Sequence, residues 1–208
     1  LQRAATISSL VAGRDPDKVL EDGERSFRVL PVEALTEADL QPGSNLASKE
    51  ASKALNARSR NAALGTCDGF FSHSWSDDGH AKFARLTEWR TRFEKENHGT
   101  KPTMWLDKAC IDQDNIDASL AALPIFLQGC RTLLVMSGPT YFSRLWCVME
   151  LYTYLHMGGE VEKVALMDIE GKSPEQLRLT LARFDARKAN CFKPNDRQRL
   201  MGVIEAGY

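Results

Sequence analysis

Asp68-Gly69-Phe70-Phe71-Ser72-His73-Ser74-Trp75-Ser76-Asp77-Asp78 is the stretch that decides the fold class. Its first half is a short apolar run ending in small polar residues, the pattern of a buried strand that runs out into a loop. Over 81–97, Phe83, Leu86, Trp89 and Phe93 then recur at three-to-four spacing, which predicts an amphipathic helix, and Gly99 ends it. Outward from there the same alternation repeats. Thr103-Met104-Trp105-Leu106-Asp107 reads as a second strand, 108–115 as a polar loop, and Ile116, Leu120, Leu123 and Leu127 as the apolar face of a second helix closing near Gly129. Positions 131–137 form a third strand, Gly138-Pro139 a turn, 144–157 a helix with Ser143 as its N-cap, and 163–168 a fourth strand. Strands alternating with helices predict an α/β domain of three layers, with a central parallel sheet of four to five strands covered on both faces. In such sheets ligands bind beyond the carboxyl ends of the strands. The loops at that edge, 72–78, 107–115 and 137–146, are the most polar and unusual in the chain.

The flanks read differently. Residues 1–63 are rich in Ala, Ser, Asp and Glu, and form an N-terminal extension that packs on the main domain or leads into it. It holds one strand-like run, Ser26-Phe27-Arg28-Val29-Leu30 stopped by Pro31, a short helix expected over 32–40, a turn at Pro42-Gly43-Ser44, and an Ala-rich segment, 47–63, that reads as helical. The main domain spans 64–170. A C-terminal helical segment, 171–208, starts at Ser173-Pro174-Glu175, carries the stripe Leu177, Leu181, Phe184, and opens a last helix at Pro194-Asn195-Asp196. No internal repeat is visible.

Composition excludes several classes. Of 208 residues, 43% are hydrophobic and 26% charged, which is ordinary for a soluble globular chain, and the formal net charge of −1 gives no global pull toward nucleic acid or membrane. No apolar run approaches the roughly 20 residues that cross a bilayer. No basic-then-apolar leader opens the chain, which starts at Leu1 without methionine and is expected to be a piece of a longer protein. The five cysteines are widely spaced with no CxxC pair, and the four histidines make no HExxH or HxH pattern, so no metal site is expected. Free, buried thiols in a reducing cytoplasmic compartment fit best. No Gly-rich phosphate loop occurs. Asp77-Asp78 is like the acidic pair of response-regulator receivers, but Ser137 ends the third strand where that chemistry needs other residues.

Specific residues then match a family. Phe70 to Asp78 resembles the first strand and following acidic loop of TIR (Toll/interleukin-1 receptor-like) domains. Trp105-Leu106-Asp107 is similar to their second strand, 108–115 to the loop that follows it, and the run from Ile116 to Gly129-Cys130 to their next helix. Leu133-Leu134-Val135-Met136-Ser137, followed by Tyr141-Phe142-Ser143-Arg144-Leu145-Trp146-Cys147-Val148-Met149-Glu150-Leu151, resembles the TIR pattern VxS, Y, S, WCxxEL, and is the most specific part. The resemblance covers roughly 66–170. His73 stands where Tyr is usual, Trp75 near where Arg is common, and the loop after Asp107 lacks the usual glycine.

The resemblance implies a flavodoxin-like fold and, because some TIR domains cleave the nicotinamide–ribose bond of NAD, a catalytic carboxylate at Glu150. NAD would be the substrate, with no cofactor. It further implies a cytoplasmic role in signalling, innate immunity or defence, with self-association through TIR surfaces. Breaking an N-glycosidic bond to a pyridinium builds oxocarbenium character on the ribose, which a fixed carboxylate stabilises. The base leaves neutral, so one carboxylate suffices. On a 3.6-residue helix Leu145, Val148, Tyr152 and Leu155 share the expected core stripe, while Trp146 and Glu150 share another flank, near an N-terminus whose dipole favours the ionised form by under ~1 kcal/mol. Ser72, His73 and Trp75 lie at the ligand edge, where a ring stacks on nicotinamide or adenine. Asp107 and Lys108 end the second strand, where the aspartate touches a ribose hydroxyl or joins a plain ion pair. Cys110 and Cys147 read as inert thiols. The opposing expectation is a non-catalytic TIR-type module that self-associates or recruits partners, with Glu150 a solvated helix residue. A third is transfer or hydrolysis on another nucleotide-like glycoside.

Overall fold

The structure is a computed structural model that describes residues 1–13, 15–42, 49–111, 122–185 and 188–189. Two helices open it, α1 (Gln2–Ala12) and α2 (Pro16–Ser26). The second is started by Asp15, whose side chain accepts from the Asp17 and Lys18 N–H groups, and by Pro16 in the first turn. Strand β1 (Arg28–Pro31) follows, then a 3-10 turn (Val32–Ala34), α3 (Glu37–Leu40), α4 (Lys49–Asn56) and β2 (Arg60–Asn61). The main α/β run is β3 (Cys67–His73), α5 (Gly79–Glu96), β4 (Thr103–Trp105), α6 (Asp107–Cys110), α7 (Leu123–Gln128), β5 (Cys130–Ser137), α8 (Leu145–His156), β6 (Val164–Asp168) and α9 (Pro174–Ala182).

The sheet has six strands, in the order β2-β1-β4-β3-β5-β6. Strands β4, β3, β5 and β6 are parallel, while β1 pairs antiparallel with both β4 and β2. The parallel part thus has four strands, within the expected four to five, and the flank extends the sheet to six with two antiparallel strands. The run ending at Pro31 joins the sheet beside β4, with Leu30 opposite Met104. The helices expected over 32–40 and 47–63 are each shorter than expected. Thr36 restarts the chain after the 3-10 turn by a capping box with Asp39, and α4 ends before Ser59, whose hydroxyl reaches Ala109 O at 2.8 Å.

Burial explains the central strands. Every residue of β3 is buried, and Leu133 to Met136 in β5 have no exposed surface, as both-faced coverage of a parallel sheet requires. Phe70 stacks on Trp105 at 4.5 Å between ring centroids, and Trp105 in turn meets Phe126 of α7. Each such ring buried contributes roughly 1.5–3 kcal/mol. Helix α5 is capped by Asp78, which accepts from Ala81 N at 2.7 Å, buries Leu86 and Trp89, and stops where His98 and Gly99 turn left-handed. Its first residue must be glycine, since a Cβ on Gly79 would stand 2.6 Å from Leu40 O.

Two corrections concern α8. Its N-cap is Arg144, not Ser143, which lies in a 3-10 turn with its hydroxyl on Thr140 O. Of its expected stripe, Leu145, Val148 and Tyr152 do share one side, but that side does not face the main core, and Leu155 falls outside it. Cys147, Leu151 and Tyr154 pack on the main core. Leu145, Val148 and Met149 face Phe184 and Ala189 in a separate cluster, and Leu155 is exposed. The helix is packed on two sides, so a single-stripe pattern does not describe it. Of the expected loop 108–115, positions 108–110 belong to a helical turn that starts at Asp107, and 112–115 lie outside the described residues. Gly43 and Ser44 of the expected turn, the first part of the helix expected from Ile116, and the last helix expected from Pro194 lie outside the described residues. No described helix is long and apolar enough to cross a membrane.

Candidate functional site

Among the four parallel strands, in the order β4-β3-β5-β6, the middle pair is β3 and β5, and β4 lies on the other side of β3. The strand order therefore reverses at β3, and ligands bind at the carboxyl ends of strands flanking such a reversal. A cavity of about 170 Å³ opens there. Its lining joins four separate pieces of chain: His73, Ser74 and Trp75 from the end of β3 and after it, Trp105, Asp107 and Ile111 from the end of β4 through α6, Leu123 at the start of α7, and Arg144, Trp146, Cys147 and Glu150 from the first turns of α8. Among the residues expected from sequence, His73, Trp75, Asp107, Trp146 and Glu150 are thus brought together. Trp146 and Glu150, four apart on the helix, both line the cavity.

Ser72 and Lys108 are placed otherwise. Ser72 is fully buried and does not line the cavity. Its hydroxyl sits between two partners, donating to Glu150 Oε2 at 2.5 Å and lying 2.6 Å from Tyr141 OH. The Tyr141 hydroxyl also reaches Cys147 O at 3.3 Å. Ser72 is therefore a support for the carboxyl rather than a ligand contact. The Lys108 ammonium stands 3.7 Å over the Trp75 ring, outside the lining. Trp75 is fixed from its other end by its Nε1–H, which donates to Asp107 Oδ2 at 2.9 Å.

Burial decides the protonation states. It pushes the Glu150 carboxyl up to about 8, the Ser72 hydrogen bond works against that, and Asp107 adds to it. No cation among the described residues pairs with Glu150. The expected dipole preference for the ionised form is outweighed, since it is worth under ~1 kcal/mol while desolvation of a carboxylate is worth several. Burial also raises Asp107, although Trp75 and the two nearby lysines restrain it. His73 is pushed well below its ordinary range by burial and by the charges of Lys82 and Lys108, and the ring is neutral. Lys82, buried with Nζ on Ser74 O at 3.0 Å, is lowered to about 8 by the same loss of water.

The loop carrying Trp75 is tied down. Asp77 accepts from Thr140 N at 2.9 Å and from Thr140 Oγ1 at 2.7 Å, and Ser74 Oγ lies 2.7 Å from the same hydroxyl. From the other flank, Asn56 Nδ2 donates to Ala109 O at 2.9 Å and so braces α6, which begins at Asp107. Cys67, Cys110, Cys130 and Cys147 are free and buried, and burial raises the last three thiols, as inert cysteines require. No cluster of potential metal ligands occurs among the described residues.

Sequence reasoning missed Tyr141, Trp105 and Arg144. The first was visible only as a letter of the family pattern, the second as a strand residue and the third as a helix start. No protein-family model matches the chain, and neither the curated proteins nor the solved structures hold a match to it.

Proposed function

We propose that the chain is a TIR-type, flavodoxin-like domain that cleaves the nicotinamide–ribose bond of NAD, with Glu150 as the catalytic carboxylate. The observation that carries this reading is the seat of Glu150: a carboxyl held at 2.5 Å by Ser72, with no described cation on it, in a cavity walled by Trp75, Trp105 and Trp146 at the reversal of strand order. The parallel order β4-β3-β5-β6 supports the flavodoxin-like assignment.

The cavity is smaller than the 300–1,000 Å³ of sites that hold a whole ligand, so only the pyridinium end of the dinucleotide enters. A unit positive charge about 4 Å from the carboxyl is worth ~4 kcal/mol at an effective dielectric of 20, which is enough to return Glu150 to its ionised form. The substrate thus ionises the group that acts on it. The C1′–N1 bond breaks with its electron pair going to the ring nitrogen, and nicotinamide leaves neutral. Glu150 stabilises the ribosyl cation, and water adds at C1′. The proton of that water passes to Glu150 and then to solvent. The buried free thiols support a reducing, cytoplasmic setting, and self-association and a signalling or defence role belong to the same reading.

Nicotinamide release from NAD, followed for the wild type and for Glu150→Gln, tests it. Absence of release at high protein concentration and under crowding would leave the fold in the role of an interaction module.

A further inference from the structure

Asp107 sits on a segment that the N-terminal flank holds at two points. Before it, Met104 of β4 stands opposite Leu30 of β1 in the sheet. After it, the carbonyl of the fully buried Ala109 accepts the Asn56 Nδ2–H at 2.9 Å and lies 2.8 Å from Ser59 Oγ. Asp107 opens α6, a helix of four residues, and its Oδ2 accepts the Trp75 Nε1–H at 2.9 Å. A single turn is too short to be stable alone, and its last carbonyls have no partner within the helix. Burial keeps water from Ala109, so the flank supplies what its carbonyl needs.

Arg28 of β1 fixes those donors in turn. Its Nε–H donates to Ser59 Oγ at 2.8 Å, and its Nη2–H to Ser59 O at 2.7 Å and Asn56 O at 3.4 Å. With Arg28 filling one lone pair of Ser59, the single hydroxyl proton is left to the carbonyls of Asn56, at 2.7 Å, and Ala109. The guanidinium fork is planar and always charged, and it sets the end of α4 and the serine together. We infer that Arg28, Asn56 and Ser59 form a clamp that belongs to the cavity: they are positioning residues that set where Asp107 stands and, through it, where the Trp75 wall stands. Glu150 is carried separately, on α8, and held by Ser72 of β3. The flank, which the TIR resemblance does not cover, is then needed for the ligand wall and not only for the sheet. The inference takes the Glu150 cavity to be the ligand site.

Its first test needs no substrate. In the full chain, NMR of isotope-labelled tryptophan reads each indole Nε1–H separately, and Trp75→Phe identifies the Trp75 signal. Asn56→Asp keeps the side-chain shape but turns the donor facing Ala109 O into an acceptor, and Arg28→Lys keeps the charge but loses the fork. Each is expected to speed exchange of the Trp75 indole proton with solvent by about ten-fold, the worth of one buried hydrogen bond, and to leave the Trp89 indole of α5 unchanged. Ser59→Ala, a smaller change, takes the place of either variant if that one fails to fold. An unchanged Trp75 rate in folded variants, or acceleration of Trp75 and Trp89 together, would overturn the inference. Steady-state kinetics on NAD gives a second readout. The variants are expected to raise KM several-fold with kcat within about two-fold of wild type, because Glu150 stays in place. A fall in kcat at unchanged KM would overturn the inference as well. No nicotinamide release by the wild type would overturn the reaction and leave the indole result to decide the clamp.

Discussion

Ser72 and Glu150, 78 residues apart in the chain, meet at 2.5 Å, with the serine hydroxyl donating to the carboxyl from a fully buried position. With Tyr141 OH 2.6 Å behind Ser72 and Cys147 O 3.3 Å beyond it, the contact belongs to a line of groups that serves either state of the carboxyl. When Glu150 is ionised, Ser72 donates to it. When Glu150 is protonated, hydroxyl rotation lets it donate to Ser72, Ser72 to Tyr141, and Tyr141 to the Cys147 carbonyl. The hydrogen bond that remains to the charged form restrains the rise caused by burial.

Removing that restraint has a direction. Ser72→Ala is expected to raise the Glu150 carboxyl above about 8, so the pH at which kcat/KM for NAD reaches half its plateau moves upward. A pH–rate profile measures it. A Ser72→Ala profile unchanged in position would show that the serine only packs.

Tyr141→Phe keeps the ring and removes the hydroxyl. Its expected effect on the profile has the same sign but is smaller, because Tyr141 reaches Glu150 only through Ser72. Stability is expected to fall by about 1 kcal/mol, the usual worth of a buried hydrogen bond, in a urea titration.

The protonation of Glu150 also makes folding pH-dependent. Its folded value, about 8, lies above the ordinary 4.5, so the folded state binds more protons than the unfolded state between those limits. This contribution is fully present below about 4.5 and is lost as pH rises through about 8. Glu150→Gln removes the dependence. Relative to wild type its stability is therefore expected to improve progressively from pH 5 to pH 9, which melting temperatures across that range measure. A wild-type-minus-variant difference that is flat with pH would place Glu150 in water instead.

Much of this arrangement was legible in the sequence and some was not. The parallel strands announced themselves because burial on both faces makes them near-continuous apolar runs, as at Leu133 to Met136. The strand-like run before Pro31 was visible, but its antiparallel partner β4 lies over 70 residues away, and no local pattern specifies that pairing. β2 is two exposed polar residues with no periodicity at all. Helix α8 hid its core face because it is packed on two sides. Glu150 and its flank could be found from the motif, whereas its protonation could not, since desolvation is a property of the assembled cavity. Ser72 was found for a different role, because only the structure shows it behind the carboxyl.

The contact that ties the Trp75 loop to the turn after β5 offers a stability test. A Cβ on Gly138 would collide with the Asp77 carboxylate that holds Thr140, so Gly138→Ala is expected to destabilise the protein by about 1–3 kcal/mol in a denaturant titration. Asp77→Ala opens that space but leaves the Thr140 N–H without its partner. A comparable loss is expected there.

The most direct measurement is nicotinamide release from NAD by purified protein, with wild type and Glu150→Gln compared at matched high concentration and under crowding. Release by the wild type, reduced on the order of a thousand-fold in a folded Glu150→Gln, is the result expected of a catalytic carboxylate. No release by the wild type, or release that Glu150→Gln leaves intact, would contradict the account.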